Sequence, residues 1–166
     1  NEMIRVFLPS RRGKSGWRVA NGEGLPNVSA AGYFFGKKIQ EELNVPVGII
    51  TTAVGGTRIE AWTPKEAYEN GRFPIFADIL KENNGMIQGV RPGDMYNRLL
   101  RPLIPYGIKG ILWYQGENNC AIDDRDYVRK FQLMAERWRQ DFGQPEAPFY
   151  YVLLASHIYS DRMHRN

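Results

Sequence analysis

Residues 109–118, Lys-Gly-Ile-Leu-Trp-Tyr-Gln-Gly-Glu-Asn, constrain the fold more than any other stretch of the chain. A short apolar run, Ile111 to Tyr114, breaks abruptly into Gln115, Gly116, Glu117 and Asn118. A buried parallel strand ends in this way when its C-terminal edge carries polar, site-forming groups.

The rest of the chain alternates strands with helices. Met3–Leu8 reads as a strand, followed by a loop through Pro9, Gly13, Gly16, Gly22 and Pro26. Ser29 is placed to cap a helix running to about Leu43, with Ala31, Phe35, Ile39 and Leu43 forming its apolar face. The β-branched run Val47–Val54 is a buried strand bounded by Gly55-Gly56. Thr63-Pro64-Lys65-Glu66 has the pattern of a capping box with proline at the first helical position, and Pro74 opens a further helix carrying Ile75, Ile79 and Leu80. Met86–Asp94 reads as loop and Tyr96–Leu103 as a brief helix stopped by Pro102 and Pro105. Between Asp124 and Phe142, the stripe Tyr127, Phe131, Met134, Trp138 and Phe142 marks the clearest helix, and Phe149–Ala155 is a final strand. Near-continuously apolar strands separated by helices predict an α/β protein with a parallel sheet covered on both faces.

Composition narrows the function. At 166 residues the chain fits one domain, residues 1–166, with a real core. The excess of 22 Lys and Arg over 18 acids is scattered, so no basic stripe points to nucleic acid. Cys120 is the sole cysteine, which rules out an intrachain disulfide. No apolar segment approaches the length of a transmembrane helix, and the residues from Asn1 carry no signal-peptide pattern, a segment that processing can remove. His and Cys are too scattered for metal-ligand spacing, and no cofactor is expected. Beginning directly on a strand and stopping at Asn166 without a closing element, the chain reads as truncated at both ends.

In a parallel sheet, sites gather in the loops beyond the strands' carboxyl ends. Gly55-Gly56-Thr57 follows one strand and Gln115–Asn118 another. Glycine after a strand permits positive φ and close backbone approach. A backbone N–H from Gly55 or Gly56, with a side-chain amide from Gln115 or Asn118, has the composition of an oxyanion hole. The plainer alternative makes both segments simple turns.

Further residues carry a family pattern. Val45-Pro46-Val47-Gly48-Ile49-Ile50, Gly55-Gly56-Thr57-Arg58-Ile59-Glu60-Ala61-Trp62, Tyr96-Asn97, Pro102 to Gly110 and Trp113-Tyr114-Gln115-Gly116-Glu117 resemble the sialate O-acetylesterase family, carbohydrate esterases of the SGNH-hydrolase superfamily. Ser29 to Gly36 and Pro148-Phe149-Tyr150-Tyr151 fit the same pattern, so the resemblance spans nearly all of the chain in order.

The resemblance implies a three-layer α/β/α, flavodoxin-like SGNH-hydrolase fold, here incomplete, and hydrolysis of O-acetyl esters on sialic acid or other glycans through a serine acyl-enzyme. It implies an O-acetylated glycan as partner, with neither nucleic acid nor membrane, and a secreted, periplasmic or lysosomal setting. Gly55 or Gly56 would then supply the oxyanion amide and Gln115 the side-chain donor, with Asn118 the competing choice and Glu117 orienting the loop. The family's nucleophile sits in a Gly-Gln-Ser-Asn block, and none of Ser10, Ser15, Ser29, Ser156 and Ser160 lies in one. The nucleophile is therefore expected upstream of Asn1, and the chain alone is expected to be inactive or nearly so. Asp161-Arg162-Met163-His164 matches the family's Asp-x-x-His spacing. It follows the last strand too closely, with no proline or helix after it, so it is not taken as the acid–base pair, and His157 reads as a rim residue. Trp17 and Trp62 are read as packing residues, Cys120 as a small buried filler and Asn97 as either a hydroxyl ligand or a turn residue. The competing class is a non-catalytic glycan-binding or scaffold domain of the same fold. A phosphate-binding loop at Gly55-Gly56-Thr57 is disfavoured, because the loop has only two glycines and no lysine follows them.

Overall fold

Strand β1 (Ile4–Leu8), with Ile4 and Val6 fully buried, is the middle strand of a three-stranded sheet ordered β2–β1–β3. The computed structural model describes residues 2–9, 15–21, 28–104 and 106–156. They fall into two compact units, Asn1–Val54 and Gly55–Asn166.

In the first unit, β3 (Val47–Ile50) runs parallel to β1, with Ile4 opposite Val47 and Phe7 opposite Ile50. Where the sequence predicts loop across Gly16, strand β2 (Gly16–Val19) instead pairs antiparallel with β1, setting Phe7 opposite Trp17. Its four residues follow β1 closely, and an antiparallel return needs only a short connection. The sheet is therefore mixed rather than wholly parallel. Helix α1 (Ala30–Leu43) starts where expected: the Ser29 hydroxyl accepts the Gly32 N–H at 3.2 Å. A Cβ at Gly36 would stand 2.7 Å from Ile49 Cδ1, so the missing side chain lets α1 lie close on β3.

The second unit contains α2 (Ile59–Trp62), α3 (Lys65–Glu69) and α4 (Ile75–Glu82), then a π turn at Tyr96–Leu100 that runs into a 3₁₀ turn at Arg101–Leu103. Strand β4 (Ile111–Trp113), α5 (Glu117–Cys120), α6 (Tyr127–Asp141) and β5 (Phe149–Tyr151) complete it. β4 and β5 pair in parallel, Ile111 opposite Phe149 and Trp113 opposite Tyr151. Helix α6 covers one face of this pair: the Trp113 ring lies 5.7 Å from Trp138 and Phe131 lies 5.8 Å from Phe149, both edge to face. A second cluster joins Tyr68, Phe76, Leu80, Ile87 and Leu133.

Several boundaries differ from expectation for local reasons. β5 stops at Tyr151 because its partner β4 ends opposite it at Trp113, whose carbonyl oxygen accepts the Val152 N–H as the last bond of the pair. α6 starts at Tyr127 rather than Asp124, whose carboxylate accepts the Asp126 N–H at 3.3 Å and also turns inward. No capping box forms at α3: the Thr63 hydroxyl donates back to Ile59 O at 3.0 Å, and Pro64 takes the N-cap. The loop at Met86–Asp94 contains a tight turn, in which Ile87 and Val90 exchange both backbone hydrogen bonds at 2.9 Å and Gln88 and Gly89 take positive φ.

Candidate active site

The two loops singled out by sequence meet. Asn118 Nδ2 donates to the carbonyl oxygen of Gly56 at 2.6 Å, sixty-two residues away in the chain. Gly56 has φ +74°, a conformation that disfavours any residue with a Cβ. The N–H groups of Gly55 and Gly56 donate to nothing among the described residues, and both glycines are exposed. An asparagine amide has two hydrogens, and Gly56 takes one from Asn118. Two backbone donors and one side-chain donor therefore stand uncommitted around this junction.

Gln115 is committed elsewhere. Its Nε2 donates to Thr57 O at 3.1 Å and to Asn119 Oδ1 at 2.9 Å, which uses both amide hydrogens. The Tyr127 hydroxyl accepts the Trp113 indole N–H at 3.0 Å and lies 3.1 and 3.0 Å from the O and Oε1 of Gln115, either of which accepts its one proton. Burial pushes the Tyr127 phenol up to about 12, so it stays a neutral donor. Gln115, the side-chain donor favoured from sequence, therefore braces the loop, and its competitor Asn118 is the amide that faces outward. Glu117 sits exposed in the first turn of α5, and its carboxylate makes no hydrogen bond or ion pair among the described residues.

The bracing expected of Glu117 falls to its neighbour Asn119, which the sequence reading passed over. Its side chain is 1% exposed and fully satisfied. Oδ1 accepts from Ile59 N at 3.1 Å and from Gln115, while Nδ2 donates to Glu60 Oε2 at 3.3 Å and Asp124 Oδ2 at 2.8 Å. Behind it lies a charged centre. Lys130 Nζ contacts Glu60 Oε1 at 2.5 Å, Asp124 Oδ2 at 2.9 Å and Gln88 Oε1 at 2.9 Å, and all three charged side chains are 1% exposed or less. One ammonium thus holds two carboxylates and ties α2, the α5–α6 connection and α6 to the turn at Gln88. The signal was legible: Lys130 stands three residues after Tyr127 and four before Met134, inside an otherwise apolar stripe.

Trp62 and Trp138 set the other wall. Trp62 Nε1 donates to Thr57 Oγ1 at 2.8 Å and Trp138 Nε1 to Trp62 O at 3.0 Å, so the segment after Gly56 is pinned to the aromatic core. Trp62 is buried, as expected of a packing residue, while Trp17 is 41% exposed and packs on Phe7 at 5.4 Å. Cys120 is exposed rather than buried. Asn97 is exposed and takes no part in the junction. A pocket of about 580 Å³ opens beside Gly56 and Thr57, with Arg58, Arg91 and Asp94 in its lining. Among the described residues no three His, Cys, Asp or Glu side chains converge as a metal site would require, and Lys130 fills the one acidic niche. Ser10, His157, Ser160, Asp161 and His164 lie outside the described residues.

The chain can now be set beside known proteins. A family model described as carbohydrate esterase, sialic acid-specific acetylesterase, matches residues 26–166. Sialate O-acetylesterases from Pongo abelii and Homo sapiens are each 31% identical over 142 residues, covering 79% of this chain and 26% of their own length. The solved structure of a carbohydrate acetylesterase from Xanthomonas citri superposes with a TM-score of 0.72 at 27% identity, over 91% of this chain and 34% of that one. An Arabidopsis thaliana protein of known structure, 20% identical, shares the fold with a TM-score of 0.53 over 94% of this chain and 58% of its own. The chain thus spans about a quarter of the length of the curated relatives it matches. No helix among the described residues is long and apolar enough to cross a membrane.

Proposed function

The chain belongs to the sialic acid-specific acetylesterase family of carbohydrate esterases, and from that premise we propose that it forms the oxyanion-binding half of an enzyme that hydrolyses O-acetyl esters on sialic acid or other glycans. The observation that carries this is the junction of Gly56 with Asn118, where the free N–H groups of Gly55 and Gly56 stand beside an outward amide. A serine attacks the acetyl carbonyl, the carbonyl oxygen takes up the negative charge, and these donors stabilise it. The sugar alkoxide leaves with a proton and water then releases acetate from the acyl-enzyme. Donors of this kind act because they are fixed before the charge develops, and the Asn119–Lys130 centre fixes them.

The serine and its acid–base partners are proposed to come from sequence outside these 166 residues, completing one three-layer α/β/α domain of SGNH-hydrolase type. None of the five serines lies in a Gly-Gln-Ser-Asn block, which supports that placement. A secreted, periplasmic or lysosomal setting goes with it.

Fluorophosphonate labelling read by intact mass, on this chain and on the protein with its flanking sequence, tests the reading. A single adduct on an upstream serine of the longer protein is expected, with none on this chain. Labelling of a serine within this chain places the nucleophile here and makes Asp161 and His164 its leading partners. No adduct on either favours the non-catalytic glycan-binding alternative.

A further inference from the structure

The hydrogen bonds behind the Gly56–Asn118 junction can run in one direction only. Lys130 brings its three N–H groups to three acceptors, Glu60 Oε1, Asp124 Oδ2 and Gln88 Oε1, so its donors are all used. The two carboxylates, paired with that ammonium, accept and do not donate. The nitrogen of the Asn119 amide faces both of them, at 3.3 and 2.8 Å. Its Oδ1 is therefore the end turned the other way, where it meets two donors, Ile59 N at 3.1 Å and Gln115 Nε2 at 2.9 Å.

The same constraint passes on to Gln115. Its Nε2 lies between Asn119 Oδ1 and Thr57 O, and both of these atoms only accept. Turned over, the amide would set Oε1 against two oxygens at hydrogen-bond distance. The Tyr127 hydroxyl, whose oxygen already takes the Trp113 indole N–H, aims its one proton at the oxygens of Gln115. A single arrangement satisfies every group in the network. In it the successive carbonyls of Gly56 and Thr57 are both drawn toward the segment carrying Gln115 and Asn118, and Ile59 N is held by Asn119.

Resting on the esterase reading above, we propose that Gln115 is a positioning residue of the reaction and does not touch the ester. Its amide, turned one way round by the Lys130 centre through Asn119, sets the facing of the peptides from Gly55 to Thr57. The N–H groups of Gly55 and Gly56 then meet the oxyanion. The polarity of the side chain matters here, and its volume does not.

Gln115→Glu and Gln115→Met in the full-length protein test polarity against volume. Glutamate keeps the shape but turns lone pairs toward Thr57 O and Asn119 Oδ1, whereas methionine keeps the length without polarity. On an O-acetylated sugar, kcat is expected to fall about 10²-fold or more in Gln115→Glu and roughly tenfold in Gln115→Met, with KM within about threefold in both. A side chain that only fills space gives the opposite order. In protein labelled with ¹⁵N-glycine, the Gly55 and Gly56 amide resonances, identified by their loss in Gly55→Ala and Gly56→Ala, are expected to shift in Gln115→Glu.

A lowered kcat with both resonances unmoved overturns the proposal and makes Gln115 itself an oxyanion donor. A smaller loss in Gln115→Glu than in Gln115→Met, or an unchanged kcat in both, overturns it as well. If Gln115→Glu does not fold, Tyr127→Phe removes only the hydroxyl behind Gln115 and is expected to shift the same resonances and lower kcat. No change in either quantity overturns the proposal. Failure of the unsubstituted protein to hydrolyse the ester overturns the esterase reading instead, and shifted resonances then still show Gln115 setting the loop.

Discussion

Asn118 Nδ2 reaches the carbonyl oxygen of Gly56 at 2.6 Å and so joins two loops that lie 62 residues apart in sequence. The bond uses one amide hydrogen of Asn118 and turns the Gly56 carbonyl toward it, while the N–H groups of Gly55 and Gly56 stay without acceptors among the described residues. The junction is therefore a donor-rich corner held from behind, with Asn119, Gln115 and Tyr127 taking the structural load and leaving Asn118 outward.

Gly56→Ala tests the backbone half of that corner. A Cβ at φ +74° costs about 1–2 kcal/mol, even though the nearest side-chain atom, Asn118 Nδ2, is 3.8 Å away. Relief of that strain rotates the peptide groups on either side. The expected result is a modest drop in the urea midpoint with a fall in kcat of about tenfold or more. An unchanged kcat with the same loss of stability would assign Gly56 to the turn alone.

Lys130→Met tests the charged centre. Removing the ammonium leaves Glu60 and Asp124 buried without a cation, which is expected to destabilise the protein by about 3–5 kcal/mol in denaturant unfolding. Adding Glu60→Gln and Asp124→Asn to Lys130→Met is expected to return much of the loss. A single-variant cost below about 1 kcal/mol would show that the three charges contribute little.

Much of this arrangement was legible in the sequence, though not all of it. The strand ending at Trp113 and the polar residues beyond it, the cap at Ser29 and the long helix follow from local pattern and spacing, whereas the meeting of the two glycine- and amide-bearing loops is expected from the order of the strands and the family resemblance. What the pattern did not reveal were features decided by long-range contacts. β2 exists because Gly16–Val19 finds β1, Thr63 abandons its capping role because Ile59 O lies within reach, and the partner that meets Lys130 is Glu60, 70 residues away. The choice between Gln115 and Asn118 depended likewise on Thr57 and Asn119, which take up both hydrogens of Gln115.

Three tyrosines give the fold a pH signature. Burial, as the largest cause, raises the phenols of Tyr68, Tyr96 and Tyr127, with Tyr127 at about 12 and the other two above it. The unfolded chain releases these protons near pH 10 while the folded chain keeps them, so the stability they contribute is complete below about pH 10 and declines as pH rises toward 12 and beyond. Ultraviolet titration is expected to show these three of the nine tyrosines ionising only above the ordinary range or on unfolding. Nine ordinary titrations in the folded protein would contradict the packing around them.

The most direct measurement is the steady-state hydrolysis of an O-acetylated sugar by the full-length protein carrying Asn118→Ala. Asn118 is exposed and its loss removes one hydrogen bond, so the fold is expected to persist. If its outward amide stabilises the developing oxyanion, kcat falls about 10²- to 10³-fold while KM changes little. A kcat within about twofold of the unsubstituted protein would contradict the assignment of Asn118 and Gly56 as the oxyanion-binding corner.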